Sequence, residues 1–438
     1  MRILSVSDPA AEASRLRKAS AIPDSLFADA MAIMKDVAQH GDQAVLDYTA
    51  KFDGVRPGSL LVSKQEIRQA YSQVTKEQVK AVKLMKQKLL KSELAVFRRL
   101  KGIAVSSEGV KIDKVVRPVA SVGCYIPGGK ARYPSTVVMC AVPAKVAGVK
   151  RVVAASPPRK DGTIDPLTLV AADVCGVDEF YKMGGAQGIA ALAYGTQSIK
   201  PVSKIVGPGG MFVTAAKLIA SGSVSTDMVA GPTELLIYAD ASADPRLVAV
   251  DLISQAEHSS DTICGLVTSS EKLARQVQEQ VLSMVERITR ADIVKSSLGN
   301  NGFVAICKNE NACIDFVNEF APEHLEIISR NAESVAKKVH SAGLVLIGQY
   351  APSSASDYLL GSNHVLPTLG FGKSRASLSV LDFVKIVNKV RVTRAGLARV
   401  DRAVKEMTSA EGLLNHYEAV RARHEKNEGE EEDEEDEE

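Results

Sequence analysis

Apolar side chains recur every three or four positions over residues 26–39, which predicts an amphipathic helix. Asp24 and Ser25 can cap its start, and Gly41 can close it. A longer basic helix is predicted over 76–100. Beyond it the period changes, and short β-rich apolar runs alternate with helical stretches. Strands are predicted at 115–125, 152–155, 204–206, 235–238, 263–268, 302–306 and 344–347. Helices are predicted at 167–175, 185–194, 211–220, 245–257, 271–288 and 310–320, with a helix end over 335–340. The stretch 397–424 is helical again. Such alternation predicts an α/β fold with largely parallel sheets. No internal repeat is visible.

Length adds a second expectation. At 438 residues the chain exceeds what one hydrophobic core usually covers, so two or more domains are expected. No apolar run approaches a membrane span. The start, Met1-Arg2-Ile3-Leu4, turns polar at once and lacks a leader pattern, so the cytoplasm is the expected location. Cys124, Cys140, Cys175, Cys264, Cys307 and Cys313 form no Cys-x-x-Cys pair. They read as reduced core residues, and a thiolate metal site is not expected. The formal charge of +2 conceals an asymmetry: ten of the eleven residues 428–438 are acidic, which leaves +12 on the rest. A basic body suits an anionic ligand such as a dinucleotide. No compact basic patch interleaved with aromatics speaks for nucleic acid. The acidic tail has nothing apolar to pack and reads as disordered.

Four of the seven histidines stand in dense polar motifs. Gln255 and His258, three apart on a predicted helix, share a face and could offer an oxygen and a nitrogen to a metal such as zinc; a plain polar helix face gives the same spacing. Glu323-His324 after Pro322 places a carboxylate beside an imidazole, as acid/base chemistry requires, if a turn brings both to one side. Asp357 and His364 flank a Gly- and Asn-containing loop. Glu411 and His416 are five apart, about 140° around a straight helix, so both reach one ligand only if a helix starts near Glu411 or the site straddles it; Thr408 and Ser409 are candidate caps. Three glycine motifs (123–129, 184–187 and 207–210) each follow a strand or open a helix, where backbone N–H groups can meet phosphate. None is a Gly-x-Gly-x-x-Gly fingerprint, and ordinary strand-to-helix turns look the same.

Taken in order, the motifs 123–129, 184–196, 204–217, 227–234, 251–258, 318–325, 342–348, 357–368 and 410–416 resemble the histidinol dehydrogenase family, from about residue 20 to about 424. The resemblance implies two Rossmann-like parallel-sheet domains with helical N- and C-terminal segments. It implies an arm over 1–22, a first domain from 23–125 plus 234–376, a second over 126–233, a helical segment 377–425 crossing to a dimer partner, and the tail 426–438. It implies one zinc per subunit on Gln255, His258, Asp357 and His416, with Glu323 and His324 as the acid/base pair. Thr233, His364 and Glu411 would contact substrate along with the zinc ligands and Glu323. Tyr125, Gln187 and Gly210 would receive NAD. The implied reaction carries L-histidinol through L-histidinal to L-histidine in a homodimer with shared active sites and two NAD. His324, as a neutral imidazole, would take the alcohol proton, and Glu323 would activate water at the aldehyde stage. Many relatives have Asn where this chain has Gly210, and Ser where it has Thr233. The same scaffold acting on another alcohol, such as a sulfonated propanediol, is the alternative; a nucleic-acid binder and a pseudoenzyme are more distant ones.

Overall fold

The structure, a computed structural model, describes residues 1–18, 23–128, 132–228 and 231–424. The acidic tail, Gly129 of the first glycine motif and part of the motif 227–234 lie outside the described residues. The chain divides into two units: Met1–Phe97 with Pro118–Phe383, and Arg98–Arg117 with Val384–Glu438.

Two sheets organise the first unit. The larger has six strands in the order Arg2–Val6, Phe303–Cys307, Ile263–Thr268, Glu234–Ala239, His324–Ile328 and Leu344–Ile347. Every neighbouring pair is parallel. The smaller has five strands, Glu179–Lys182, Arg151–Ser156, Ser121–Tyr125, Lys204–Val206 and Ser225–Thr226, again all parallel. Parallel strands covered by helices on both faces are apolar throughout, and Glu234–Ala239 is buried at every position. Its alternate side chains feed two cores: Leu235 and Ile237 meet Val248, Leu252 and Val277, whereas Leu236 and Tyr238 meet Phe316 and Phe320. The expected α/β class with two parallel-sheet lobes is what forms.

The expected domain boundaries need correction. Strand Arg2–Val6 and helix Pro9–Lys18 are no free arm: the strand pairs with Phe303–Cys307, and Ala13 is buried in the core of the large sheet. Residues 24–97 go with the small sheet instead. The apolar faces of helices Asp24–His40 and Asp42–Asp53 (Ala30, Met34, Val37, Val45) pack on Ile189, Leu192, Ile205 and Val213. The Lys86 ammonium of helix Lys76–Phe97 donates to the Val174 carbonyl at 2.7 Å. The predicted strand 115–125 is two strands, Val110–Pro118 and Ser121–Tyr125, in different sheets. Ser121–Tyr125 therefore belongs to the second lobe, not the first.

The second unit holds a three-stranded sheet in the order Val384–Val392, Val110–Pro118, Ile103–Ser107. Helices Arg394–Ala410 and Leu414–Arg421 follow. The segment 377–425, expected to be helical, thus opens with a 3-10 turn and a nine-residue strand. Among the described residues no helix is long and apolar enough to cross a membrane.

Candidate active site

Glu323 and His324 stand where a helix becomes a strand. Helix Glu310–Phe320 stops at Ala321, whose φ of +49° breaks the helical path, and Pro322 carries the chain to strand His324–Ile328. Both residues are buried. The turn puts them on one side: Glu323 Oε2 lies 3.7 Å from His324 Nδ1. Glu323 Oε2 accepts the Glu234 backbone N–H at 2.7 Å, and His324 Nδ1 lies 3.3 Å from the Glu234 carbonyl. That carbonyl can only accept, so Nδ1 carries the proton and Nε2 is left exposed to chemistry. Nε2 makes no hydrogen bond and sits 3.5 Å from Asp357 Oδ1.

Asp357 follows the short helix Ser353–Ser356, and its carbonyl accepts from His364 Nδ1 at 2.7 Å. His364 Nε2 lies 3.3 Å from Thr136 Oγ1 on helix Pro134–Ala147, so both of its nitrogens are engaged. Gln255 sits in the last turn of helix Pro245–Ala256, buried, its Oε1 approached by the Ser353 hydroxyl at 3.5 Å. His258 lies past the helix end rather than on its face, because Glu257 is the C-cap. The expected shared helical face is replaced by a terminal turn, with His258 N–H on the Gln255 carbonyl at 3.2 Å.

Electrostatics separate these groups. Burial pushes the Glu323 carboxyl up, against the pull of His324. Burial works against the charged His324 ring, but Glu323 and Asp357 on its two sides prevail and raise it to about 10. With no cation on Asp357, the two flanking carboxylates favour the protonated ring over the neutral imidazole expected from sequence. Coordination of Asp357 by a cation would take one of these two away. Burial also opposes the charge of Asp357, yet His324 and the other imidazoles hold its carboxyl below the usual range. His258 and His364 are lowered by burial, which favours the neutral ring in both; His258 can then offer a lone pair, whereas both nitrogens of His364 are already engaged.

Glu411 and His416 are in the second unit. Helix Arg394–Ala410 ends with Glu411 as its C-cap, Gly412 turns at φ +72°, and a new helix, Leu414–Arg421, carries His416. Thr408 donates to the Lys405 carbonyl and caps no helix start. The first option holds in part: a helix does start near Glu411, at Leu414, but a glycine break separates Glu411 from it. Among the described residues no three His, Cys, Asp or Glu side chains surround one point. The first unit brings only His258 and Asp357 of those types, with Gln255 as a third donor. This N/O set without thiolate fits a catalytic zinc that needs a further ligand from elsewhere.

The remaining expected residues border the small sheet. Its strand order reverses between Ser121–Tyr125 and Lys204–Val206, where doubly wound sheets bind ligands. Tyr125 ends the first of these strands, and its hydroxyl accepts the Gly185 N–H at 3.1 Å. Gly207 ends the other with φ +116°; a Cβ there would stand 2.1 Å from the Tyr125 carbonyl. Gln187, in the first turn of helix Gly185–Tyr194, is buried, with its Oε1 unpartnered. Gly210 precedes helix Met211–Ala220, and its Cβ position is open. These features suit a dinucleotide: helix N-termini, a close backbone approach and a free buried acceptor. Thr233 is half-buried, beside Glu234, and its carbonyl accepts from Ile263. Glu234 and its partner Arg17 were not singled out from sequence. The signal was there, since Glu234 is a carboxylate opening the wholly apolar run Leu235–Ala239.

Two doubly wound parallel sheets, one carrying a buried carboxylate–imidazole pair and the other a glycine-lined crevice, define a two-lobed α/β enzyme equipped for acid–base chemistry. The model of the histidinol dehydrogenase family matches residues 16–424. Histidinol dehydrogenase of Methanocaldococcus jannaschii is 42% identical over 393 residues, 90% of this chain and 91% of that protein. The Clostridium acetobutylicum enzyme is 41% identical over 391 residues, 89% of this chain and 90% of its own. The crystal structure of histidinol dehydrogenase from Elizabethkingia anophelis, 34% identical, superposes with a TM-score of 0.89 over 97% of this chain and 98% of that one. The chain belongs to the histidinol dehydrogenase family, oxidoreductases acting on a CH–OH group with NAD.

Proposed function

We propose that this protein oxidises L-histidinol through L-histidinal to L-histidine, using two NAD and one zinc per subunit, as a cytoplasmic homodimer. The observation that carries the reading is the series His364, Asp357, His324 and Glu323, half-buried at its first two members and buried at its last two, within contact or near-contact of one another in a chain of this family. Gln255, His258 and Asp357 would hold zinc with His416 supplied by a partner subunit. Zinc, when bound, orients the imidazole and amine of the substrate. NAD, when bound near Tyr125, Gln187 and Gly210, accepts the electrons of each oxidation.

The residues do the rest. With Asp357 given over to the cation, His324 would take the alcohol proton at Nε2, which makes no hydrogen bond among the described residues, while Nδ1 stays on the Glu234 carbonyl. Glu323 is fixed through Oε2 to the Glu234 amide, and its other oxygen is left to take a proton from water at the aldehyde stage. His364, Glu411 and Thr233 line the substrate. Burial of Glu323 and His324 keeps bulk water from the acid/base pair, which favours retention of a bound aldehyde between the two oxidations. A dimer is supported by the second unit, which carries Glu411 and His416 and in which Ile386, Val390, Met407 and Leu414 are each more than half exposed. Six buried free thiols suit a reducing compartment.

The test counts NADH per histidine formed by zinc-loaded protein supplied with L-histidinol and NAD. Two NADH per histidine, lost with a chelator and restored by zinc, is the expected result. Folded, metal-loaded protein that makes no NADH from histidinol would refute it and move the substrate to another alcohol.

A further inference from the structure

Glu234 touches the acid/base pair in three ways. Its backbone N–H holds Glu323 Oε2 at 2.7 Å, its carbonyl faces His324 Nδ1 at 3.3 Å, and its own Oε2 accepts the Glu323 N–H at 3.3 Å. The first and third form a reciprocal exchange between neighbouring parallel strands, each glutamate holding the other's amide. Glu234 is wholly buried, and it lies opposite another carboxylate. Its remaining oxygen, Oε1, is met by the Arg17 guanidinium and by the Leu369 N–H at 2.9 Å. Arg17 is itself fixed: its Nε donates to the Phe320 carbonyl at 3.1 Å and its guanidinium lies over the Phe320 ring, 3.9 Å from the centroid. Phe320 ends the helix from which Glu323 emerges. Arg17 therefore grips both sides of the turn that aims the pair.

We infer that Glu234, clamped by Arg17, is a positioning residue that sets the Glu323 carboxylate and the His324 imidazole on one side of their turn for both oxidations. The inference rests on the proposed histidinol reaction. Adjacent residues entering a strand diverge by default, so joint action needs an outside constraint. The Glu234 side chain supplies it on one edge, accepting the Glu323 amide while its charge is balanced by the guanidinium. A carboxylate can accept at both ends. A glutamine cannot, because one end becomes a donor that faces either the Glu323 N–H or Arg17.

Glu234→Gln is expected to lower kcat about 10- to 100-fold in both half-reactions, the usual cost of losing an orienting partner. KM for histidinol and zinc content should stay within about twofold of the parent, since the Glu234 side chain meets the Glu323 amide, Arg17 and the Leu369 amide but no zinc ligand. Arg17→Gln should lower kcat about tenfold with the same split, and Arg17→Lys, which keeps the charge against Glu234 but loses the fork onto the Phe320 carbonyl, should recover part of that loss. Should Glu234→Gln not fold, the Arg17 pair decides alone. Normal kcat per bound zinc in Arg17→Gln, or a loss that tracks zinc or folded fraction and is not recovered in Arg17→Lys, would overturn the inference. A parent enzyme that fails on histidinol would instead overturn the proposed reaction, so the two failures are distinguishable.

Discussion

The Lys217–Asp227 pair behind the glycine crevice offers a sharp test of what holds the small-sheet lobe. Lys217 and Asp227 are 2% and 1% exposed, with the ammonium against the carboxylate. The pair also clamps one residue: Lys217 Nζ donates to the Gly207 carbonyl at 2.9 Å, and the Gly207 N–H donates to Asp227 Oδ2 at 2.7 Å. Lys217→Met removes the cation and leaves a buried carboxylate without its counter-charge. Breaking a buried pair from one side costs about 3–5 kcal/mol, because the surviving charge is uncompensated. At about 2 °C per kcal/mol for a unit this large, the melting temperature should fall by roughly 6–10 °C. Lys217→Met combined with Asp227→Asn removes both charges and keeps an acceptor for the Gly207 amide, so it should recover at least half of the loss. Thermal unfolding followed by circular dichroism reads both variants. A single variant within about 1 kcal/mol of the parent, or a double variant worse than the single, would show that the pair is not what stabilises this turn.

Glu323→Gln keeps an acceptor for the Glu234 amide but cannot take a proton, so histidinal oxidation should fall about 10²- to 10⁴-fold and histidinol oxidation less; equal losses, measured by supplying each substrate separately, would remove Glu323 from the water-activating role. Gly210→Asn meets nothing at its Cβ position and restores the side chain many relatives carry; KM for NAD should drop severalfold at unchanged kcat, read from initial rates. His416→Ala should lower zinc per subunit below half by elemental analysis, and unchanged zinc would strike it from the ligand set.

Buried apolar runs bounded by turn residues were the readable part of the fold. Lys204–Val206, Ile263–Thr268 and Leu344–Ile347, and helices Gly185–Tyr194, Met211–Ala220 and Glu310–Phe320, form over the predicted spans. Helix Pro134–Ala147 was passed over because it is buried nearly all round and contains Pro143, so it has no polar face and a breaker inside. Strand Arg2–Val6 gains its identity from pairing with residues some 300 positions away. Strand Val384–Val392 did carry a signal: Lys385, Lys389 and Arg391 alternate with Ile386, Val390 and Val392. In the site, polar motifs pointed to Glu323, His324, Asp357 and His364, because catalytic side chains cluster where polarity interrupts an apolar pattern. Of their supports, Glu234 carried a local signal as a carboxylate opening an apolar run, whereas Arg17 and Thr136 act through contacts between distant segments that nothing local marks.

The two sheets of the first unit share one order once strand Arg2–Val6 is set aside: third, second, first, fourth, fifth in chain sequence. They use opposite edges of it. In the small sheet the polar features lie at the C-terminal ends of the strands, at Tyr125 and Gly207, where helices Gly185–Tyr194 and Met211–Ala220 begin. Helix N-termini favour anions, and a dinucleotide is anionic. In the large sheet, Glu234 and His324 open their strands, and helix Pro245–Ala256 delivers Gln255 there from its C-terminal turn. Helix C-termini favour cations. A metal-assisted, NAD-linked oxidation needs a cation and an anionic cofactor at one substrate, and each lobe presents the helix ends that suit one of them. The two are joined at the loop after Asp357. Asn363 donates to the Met139 carbonyl at 2.8 Å, and His364 bridges Thr136 and the Asp357 carbonyl. His364 is thus held by the helix of one lobe and the backbone beside the acid of the other, at the seam where the proposed reaction would bring substrate and cofactor together.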